Sequence, residues 1–258
     1  LVMKKSNKIL SIVLAITLFL SISITTSALT KENENNDVIG SDIRSTEIIG
    51  QSENVNKYSL LPNKLNIYWV ASSTQVIITV QNVGIDTVDT FKGMVSIDKG
   101  VKKPFSTYKL KAFETRNIKV NINMTKCYES ITVSYYAKDG NTAFGQGSSP
   151  GHREIPSNLS NLWSKGTFKN IYSSINYHFS KHHTEVSAND IVSYATKAKN
   201  YRTVVLNDKK KLSISQLKNK YTIAQSSGTI KANKYKSKSN KQFIILTNSG
   251  NKILSYGK

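Results

Sequence analysis

The chain has 258 residues, 38% of them hydrophobic, and carries 36 Lys and Arg against 16 Asp and Glu, a formal net charge of +20. That length suits one large domain or two modest ones, and the single cysteine, Cys127, excludes an internal disulfide framework. A positive excess of this size points to a polyanionic partner, such as nucleic acid or an anionic envelope polymer, and is silent about fold.

The first elements are read from charge and hydropathy. Lys4, Lys5 and Lys8 precede an apolar run from Ile9 to Ile24, and small residues lead to Ala28. This is the layout of a Sec signal peptide over residues 1–28, which implies a secreted or surface-exposed protein. The apolar run falls short of the ~20 residues of a membrane span, which argues against an uncleaved anchor. Residues 29–58 are polar, rich in Asn, Glu and Ser, and lack periodicity, as expected of a disordered linker or pro-segment.

Residues 59–149 change to period two. Val76, Ile78 and Val80 alternate in one segment, then Ile118, Val120, Ile122 and Met124, then Ile131, Val133 and Tyr135. Such alternation between turn signals predicts six or seven short antiparallel strands with one buried face, an all-β sandwich. Cys127 is expected as a small buried residue at a strand start. The segment "VQNVGIDTVDTFKGMVSI" resembles immunoglobulin-like adhesion domains of bacterial surface proteins, in which Asn-x-Gly closes one strand and a later apolar strand returns. The resemblance implies an immunoglobulin-like sandwich with a cell-envelope ligand. Gly, Ser and Pro then accumulate over 142–160, which predicts a domain boundary with a linker at 150–160.

Residues 161–258 are expected to form a small α+β module of two helices and a three- to four-stranded antiparallel sheet. Phe168, Ile171, Tyr172, Ile175 and Phe179 recur at helical spacing. Ser187 followed by Asp190 has the form of a capping box, and a second amphipathic helix follows from Ile191 to Val205. After "LNDKKK" the chain becomes strand-like, with "TNSGNK" as a turn between the last two strands. The charge is concentrated in this region. Residues 151–258 hold 19 Lys and Arg against 4 acids, net +15, and residues 1–150 hold 17 against 12, net +5.

Three of the four histidines, His178, His182 and His183, lie on the first of these helices. At about 100° per residue His182 falls near the centre of the apolar stripe, with His178 on one rim and His183 on the other. A rim histidine suits general acid/base work on RNA, which needs one group to deprotonate the 2′-hydroxyl, another to protonate the leaving oxygen, and cations for the phosphorane. The alternative is a pair that only packs within the helix. A metal site is disfavoured, because "HFSKH" lacks the glutamate of the zinc-protease motif.

The segment from Gly166 to Val205 resembles the C-terminal toxin modules of bacterial polymorphic toxin systems. The matching residues are Tyr177, His178, Phe179, Lys181, His182, Glu185, Val186, Tyr194, Lys197 and Ala198, with Lys234, Tyr235, Ile253, Ser255, Tyr256 and Gly257 at the end. His183 and Ser187 stand where that pattern has glycine, and Lys234 where it tends to have arginine. The resemblance implies a barnase/colicin/RelE-like nuclease fold, metal-independent ribonuclease activity without cofactor, and an acidic immunity protein as partner. In that reading His178 and His182 are catalytic, with Lys234 and Arg202 steadying the phosphate and Lys181 contacting substrate.

Other assignments leave alternatives open. Arg202 reaches a phosphate or merely suits a helix C-terminus. Ser255 and Thr247 bond a phosphate oxygen or are plain strand residues. Tyr235, within the lysine-rich "KANKYKSKSNKQ", tracks an RNA backbone or sits in a solvated loop. Trp163 reads as a hydrophobic anchor more than a stacking platform. Two further readings remain: a non-enzymatic surface adhesin whose basic module binds polyanions, and a degenerate toxin module that keeps the fold without activity.

Overall fold

The computed structural model describes residues 65–98, 100–140, 142–226 and 228–258, so the expected signal peptide, the expected 29–58 linker and the start of the 59–149 region lie outside the described residues. Among the described residues eleven strands form three antiparallel sheets, accompanied by four helices.

The first two sheets come from β1 (Leu65–Ala71), β2 (Gln75–Asn82), β3 (Val88–Ile97), β4 (Val101–Leu110), β5 (Thr115–Asn121), β6 (Tyr128–Asp139) and β7 (Thr142–Glu154). One has the order β1-β2-β5 and the other β4-β3-β6-β7. Period-two alternation sends Val76, Ile78 and Val80 of β2 and Ile131, Val133 and Tyr135 of β6 inward. They join Phe91 and Val95 of β3 in one buried cluster fed by both sheets. Each such side chain contributes ~1.5–3 kcal/mol when fully buried. The Asn-x-Gly closing β2 has a clear physical role. The Asn82 side-chain amide donates to the carbonyls of Asp86, Leu110 and Lys111 at 2.7–3.0 Å, and its Oδ1 accepts the Gly84 N–H. A buried asparagine thereby satisfies turn carbonyls that would otherwise be stranded.

The Gly/Ser/Pro stretch is not a loop through most of its length. β7 pairs with β6 from Asp139↔Thr142 to Tyr128↔Glu154, which corrects the expected linker at 150–160. The strand lies at the edge of its sheet, where a proline lacking its N–H is tolerated. Its end is anchored by Arg153, which is fully buried. The Arg153 Nε and Nη2 donate to Glu129 Oε2 at 2.9 and 2.7 Å, while Nη1 donates to the carbonyls of Ser72 and Ile122. Glu129 Oε1 accepts from the backbone of Thr125 and Lys126. One ion pair thus ties the β1–β2 turn and the exit of β5 to β6 and β7.

The second buried cluster draws Met124, Cys127 and Ile155 together with residues of the helical region and the last sheet, and all described residues belong to one compact unit. Cys127 is buried as expected. Its N–H donates to Asn176 Oδ1 at 2.8 Å, and burial pushes its thiol pKa up to about 12.

The helices are α1 (Ser157–Ser160), α2 (Ile171–His182), α3 (Ile191–Lys211) and α4 (Ile214–Lys220). Asn170 caps α2 by accepting the Ser173 N–H at 2.7 Å. The expected box of Ser187 with Asp190 is shifted: Asp190 is itself the N-cap of α3, with Ser193 as its reciprocal partner. Ser187 instead sits in the left-handed region at φ 53°. α3 continues past Val205 to Lys211 because Lys209, Lys210 and Lys211 suit its C-terminal dipole. α4 was missed, although Ser213 and Gln216 have the spacing of a capping box and form one. The last sheet is a meander of β8 (Tyr221–Gln225), β9 (Ala232–Ser237), β10 (Phe243–Thr247) and β11 (Ile253–Gly257) in the order β11-β10-β9-β8. This is the expected helices-then-sheet arrangement. α3 is fastened to it by Tyr194 and Tyr201, whose hydroxyls donate to the carbonyls of Tyr256 and Gln242 at 2.6 and 3.0 Å.

Candidate active site

The register of the last sheet sorts its residues into two faces. Tyr256, Ile244, Tyr235 and Ile223 form one cross-strand row, and this row belongs to the core. Alternation puts two other rows on the opposite face. One runs Ser255, Ile245, Lys234, Ala224 and the other Gly257, Phe243, Lys236, Thr222. Lys234 and Lys236 therefore share a face to which these strands contribute no acidic residue.

α2 meets these rows at their β11 end. His178 Nδ1 lies 3.2 Å from Ser255 Oγ, at the end of the first row. His182 packs edge-on against Phe243, with centroids 5.5 Å apart, at the end of the second row. The two imidazoles are one helical turn apart and nearly parallel, 9° between planes and 6.1 Å between centroids. Lys234 Nζ stands 4.3 Å from the Phe243 ring centroid, so one aromatic ring borders both a cation of the sheet and an imidazole of the helix. Two strand spacings separate the backbones of Ser255 and Lys234, about 10 Å.

The environments of the two histidines differ. His178 is half-buried among Trp163, Phe168 and Tyr177, with ring centroids 6.1, 5.9 and 5.1 Å away. Burial, helped by His182 and Lys181, lowers its pKa to about 4 from the ordinary 6.5, so it is neutral at physiological pH. His182 is buried, yet its Nδ1 lies 3.0 Å from Glu185 Oε2. That oxygen also accepts the backbone N–H of Lys258 at 3.0 Å. The Lys258 N–H and the His182 ring hold the Glu185 carboxyl below its usual range despite some desolvation. The ionised carboxylate accepts Nδ1–H and leaves Nε2 of His182 as the working nitrogen. His183 faces elsewhere, stacking on Phe179 and lying 3.2 Å from the Ala188 carbonyl.

The structure therefore brings together His178, His182, Lys234 and Ser255 of the expected site. Lys181 is one turn away on the exposed side of α2, its Nζ 5.9 Å from the Tyr177 ring. Three expected residues lie elsewhere. Tyr235 is a core residue, 4% exposed and edge-on to Tyr221, which corrects the expectation that it tracks a nucleic-acid backbone: its strand position faces α3. Arg202 does not end α3 but lies within it, and its Nε donates to the Asn251 carbonyl in the β10–β11 turn. Thr247 Oγ1 accepts the Lys252 N–H in that same turn. Both serve the turn: Arg202 and the strand-end Thr247 bond its backbone groups.

Glu185, Lys236, Phe243 and Gly257 were not read as site residues from the sequence. The spacing of Glu185, three after His182, carried the signal for the first. The others depend on strand register, which the sequence leaves open until β9, β10 and β11 are aligned. Gly257 is required by space. A Cβ there would lie 2.9 Å from His182 Nδ1, 2.9 Å from the Phe243 ring and 3.0 Å from Glu185 Oε2. Among the described residues no three His, Cys, Asp or Glu side chains gather as a ligand set for a metal ion.

No family model matches this sequence, and no curated protein or solved structure matches it.

Proposed function

We propose that residues 161–258 are a metal-independent ribonuclease module of the polymorphic-toxin kind, following an immunoglobulin-like sandwich in an exported protein of two functional parts. The observation that supports this most is the meeting of His178 and His182 with the end of a sheet face that carries Lys234 and Lys236. In this reading an RNA phosphate settles over Lys234 and Lys236, whose charges stabilise the phosphorane. Neutral His178, its Nδ1–H turned to Ser255 Oγ, takes the 2′-hydroxyl proton on Nε2 while the 2′-oxygen attacks phosphorus. The incoming anion raises the proton affinity of that ring. His182, oriented by Glu185 and protonated on Nε2, gives its proton to the departing 5′-oxygen. The products are a 2′,3′-cyclic phosphate and a 5′-hydroxyl. The four acids of residues 151–258 fit a cationic groove. Asp190 caps α3, Glu185 pairs with His182, Asp208 binds Lys220 and Tyr221, and Glu154 borders the Tyr172 hydroxyl. An acidic immunity protein is the corresponding partner. The test is RNA cleavage by the purified protein in chelator: activity that a His178→Ala variant lacks supports the reading, and equal activity in both ends it.

The second reading, a non-enzymatic adhesin, draws on a different feature. The outer face of the β4-β3-β6-β7 sheet carries an open trough of about 1020 Å³ bordered by Lys92, Met94, Pro104, Tyr108, Tyr136 and Gln146. Exposed Tyr108 and half-buried Tyr136 beside neutral polar side chains suit an envelope saccharide. Binding that survives substitution of both histidines, with no turnover of RNA, would favour this reading.

A further inference from the structure

The chain between α1 and α2 does more than support His178. Residues 162–164 run beside β11: the Ile253 N–H donates to the Leu162 carbonyl, and the Ser164 N–H donates to the Ile253 carbonyl, each at 2.8 Å. This fixes Trp163 between His178, at 6.1 Å, and Tyr194, at 5.9 Å. Trp163 also walls a second cavity of about 680 Å³, together with Lys165, Lys169, Asn170, Ile171 and Lys252. Three cations and no acid line it. Lys165 and Lys169 are exposed and have no ion-pair partner among the described residues. Lys252 Nζ donates to the Asn161 carbonyl. The first turn of α2 opens on the cavity, and it holds no acidic residue to complement its dipole. The indole Nε1 of Trp163 is buried and has no hydrogen-bond partner. Glu154 borders the hydroxyl of Tyr172, a residue of the cavity wall.

We infer that this cavity binds a phosphate-bearing nucleotide, with the phosphate among Lys165, Lys169 and Lys252 and the base against Ile171, Tyr172 and the Trp163 side. The polymer is taken from the ribonuclease reading: a chain cut at His178 passes Phe168 and Trp163 and places a neighbouring nucleotide here. The site itself requires only a nucleotide, whether or not the histidines cut. Three lysines supply the electrostatic part of such binding, and the apolar side chains beside them supply a surface for the base.

The experiment measures binding of the full chain to adenosine 5′-monophosphate and to a short oligodeoxynucleotide, which lacks the 2′-hydroxyl and cannot be cut by transesterification. Lys165→Gln with Lys169→Gln removes two charges at the cavity, and Lys218→Gln with Lys238→Gln removes two elsewhere. The cavity pair is expected to weaken both ligands about tenfold and the control pair less than about twofold, with a smaller salt slope only for the cavity pair. Equal effects of the two pairs, or no binding of either ligand, overturn the inference. Binding lost by the cavity pair in a protein that cuts no RNA keeps the inference and ends the ribonuclease reading. Cutting with a KM that the cavity pair leaves unchanged does the reverse.

Discussion

Glu185 accepts at 3.0 Å on the same carboxylate oxygen from the His182 side chain and from the Lys258 backbone. Glu185, held by the Lys258 N–H, thereby sets which nitrogen of His182 is free. A carboxylate that fixes a tautomer and a ring orientation acts through its partner, so Glu185 is a positioning residue.

Glu185→Gln keeps the shape and removes the charge. In the ribonuclease reading kcat falls ~10²-fold or more, on the scale of losing a well-placed acid/base group, while KM for an oligoribonucleotide hardly changes. Single-turnover cleavage measures the first and titration of the uncut deoxy analogue the second. A ring-nitrogen NMR spectrum showing His182 in a mixture of tautomers would mark the cause.

His178 predicts a pH dependence of stability. Its proton binds near 6.5 in the unfolded chain and only near 4 in the folded one. Between those values the unfolded chain holds more protons, so stability is full above about 6.5 and declines as pH falls toward 4. Urea unfolding across that window should show the decline, and His178→Asn should flatten it. The kcat/KM profile of the free enzyme should keep its acid limb near 4, well below that of an ordinary histidine.

Gly257 has no side chain because His182, Phe243 and Glu185 occupy the space one would need. Gly257→Ala must push the imidazole or the carboxylate aside, at a cost of ~1–3 kcal/mol. A lower midpoint in urea, together with loss of the His182–Glu185 hydrogen bond by NMR, is the expected outcome. An unchanged imidazole spectrum would show that β11 moves instead.

Much of this is legible in the sequence, for definite reasons. Val76, Ile78 and Val80 announce a half-buried strand because β pleating has a period of exactly two residues, and His178 and His182 share a face because a helix turns about 100° per residue. Composition misled at Arg153. Gly, Ser and Pro around it look like a loop, yet an edge strand tolerates all three, and only a long-range partner, Glu129, reveals that the arginine is internal. The same distinction explains Tyr235 and Lys234. Adjacent residues on β9 face opposite ways, and nothing local says which of them faces the core. The helix that begins at Ser213 carried its own start signal, masked by the lysines before it.

Ser187 stands at φ 53°, where glycine is at ease and a side chain costs ~1–2 kcal/mol. Ser187→Gly should therefore stabilise the protein by roughly 0.5–1 kcal/mol, the relieved strain less the entropy of a freer unfolded chain. His183 offers a contrast. It lies at φ −60° at the end of α2, so His183→Gly gains no backbone relief and loses the stacking on Phe179. Thermal melts of the two variants should move in opposite directions.

Arg153 and Glu129 make the strongest claim about stability. Both side chains are almost wholly removed from water, at 0% and 2% exposure, and their polar atoms satisfy backbone groups from three places in the first two sheets. Arg153→Met leaves the Glu129 carboxylate buried without its counter-ion and should cost ~3–5 kcal/mol. Replacing both, Arg153→Met with Glu129→Leu, removes the stranded charge, although the carbonyls of Ser72 and Ile122 and the N–H groups of Thr125 and Lys126 then lose their partners. The double variant is therefore expected to recover part of the loss and no more. A chemical-denaturation cycle over the four proteins measures the coupling. Full recovery would show that the pair serves only itself, and no recovery would show that the backbone groups carry the cost.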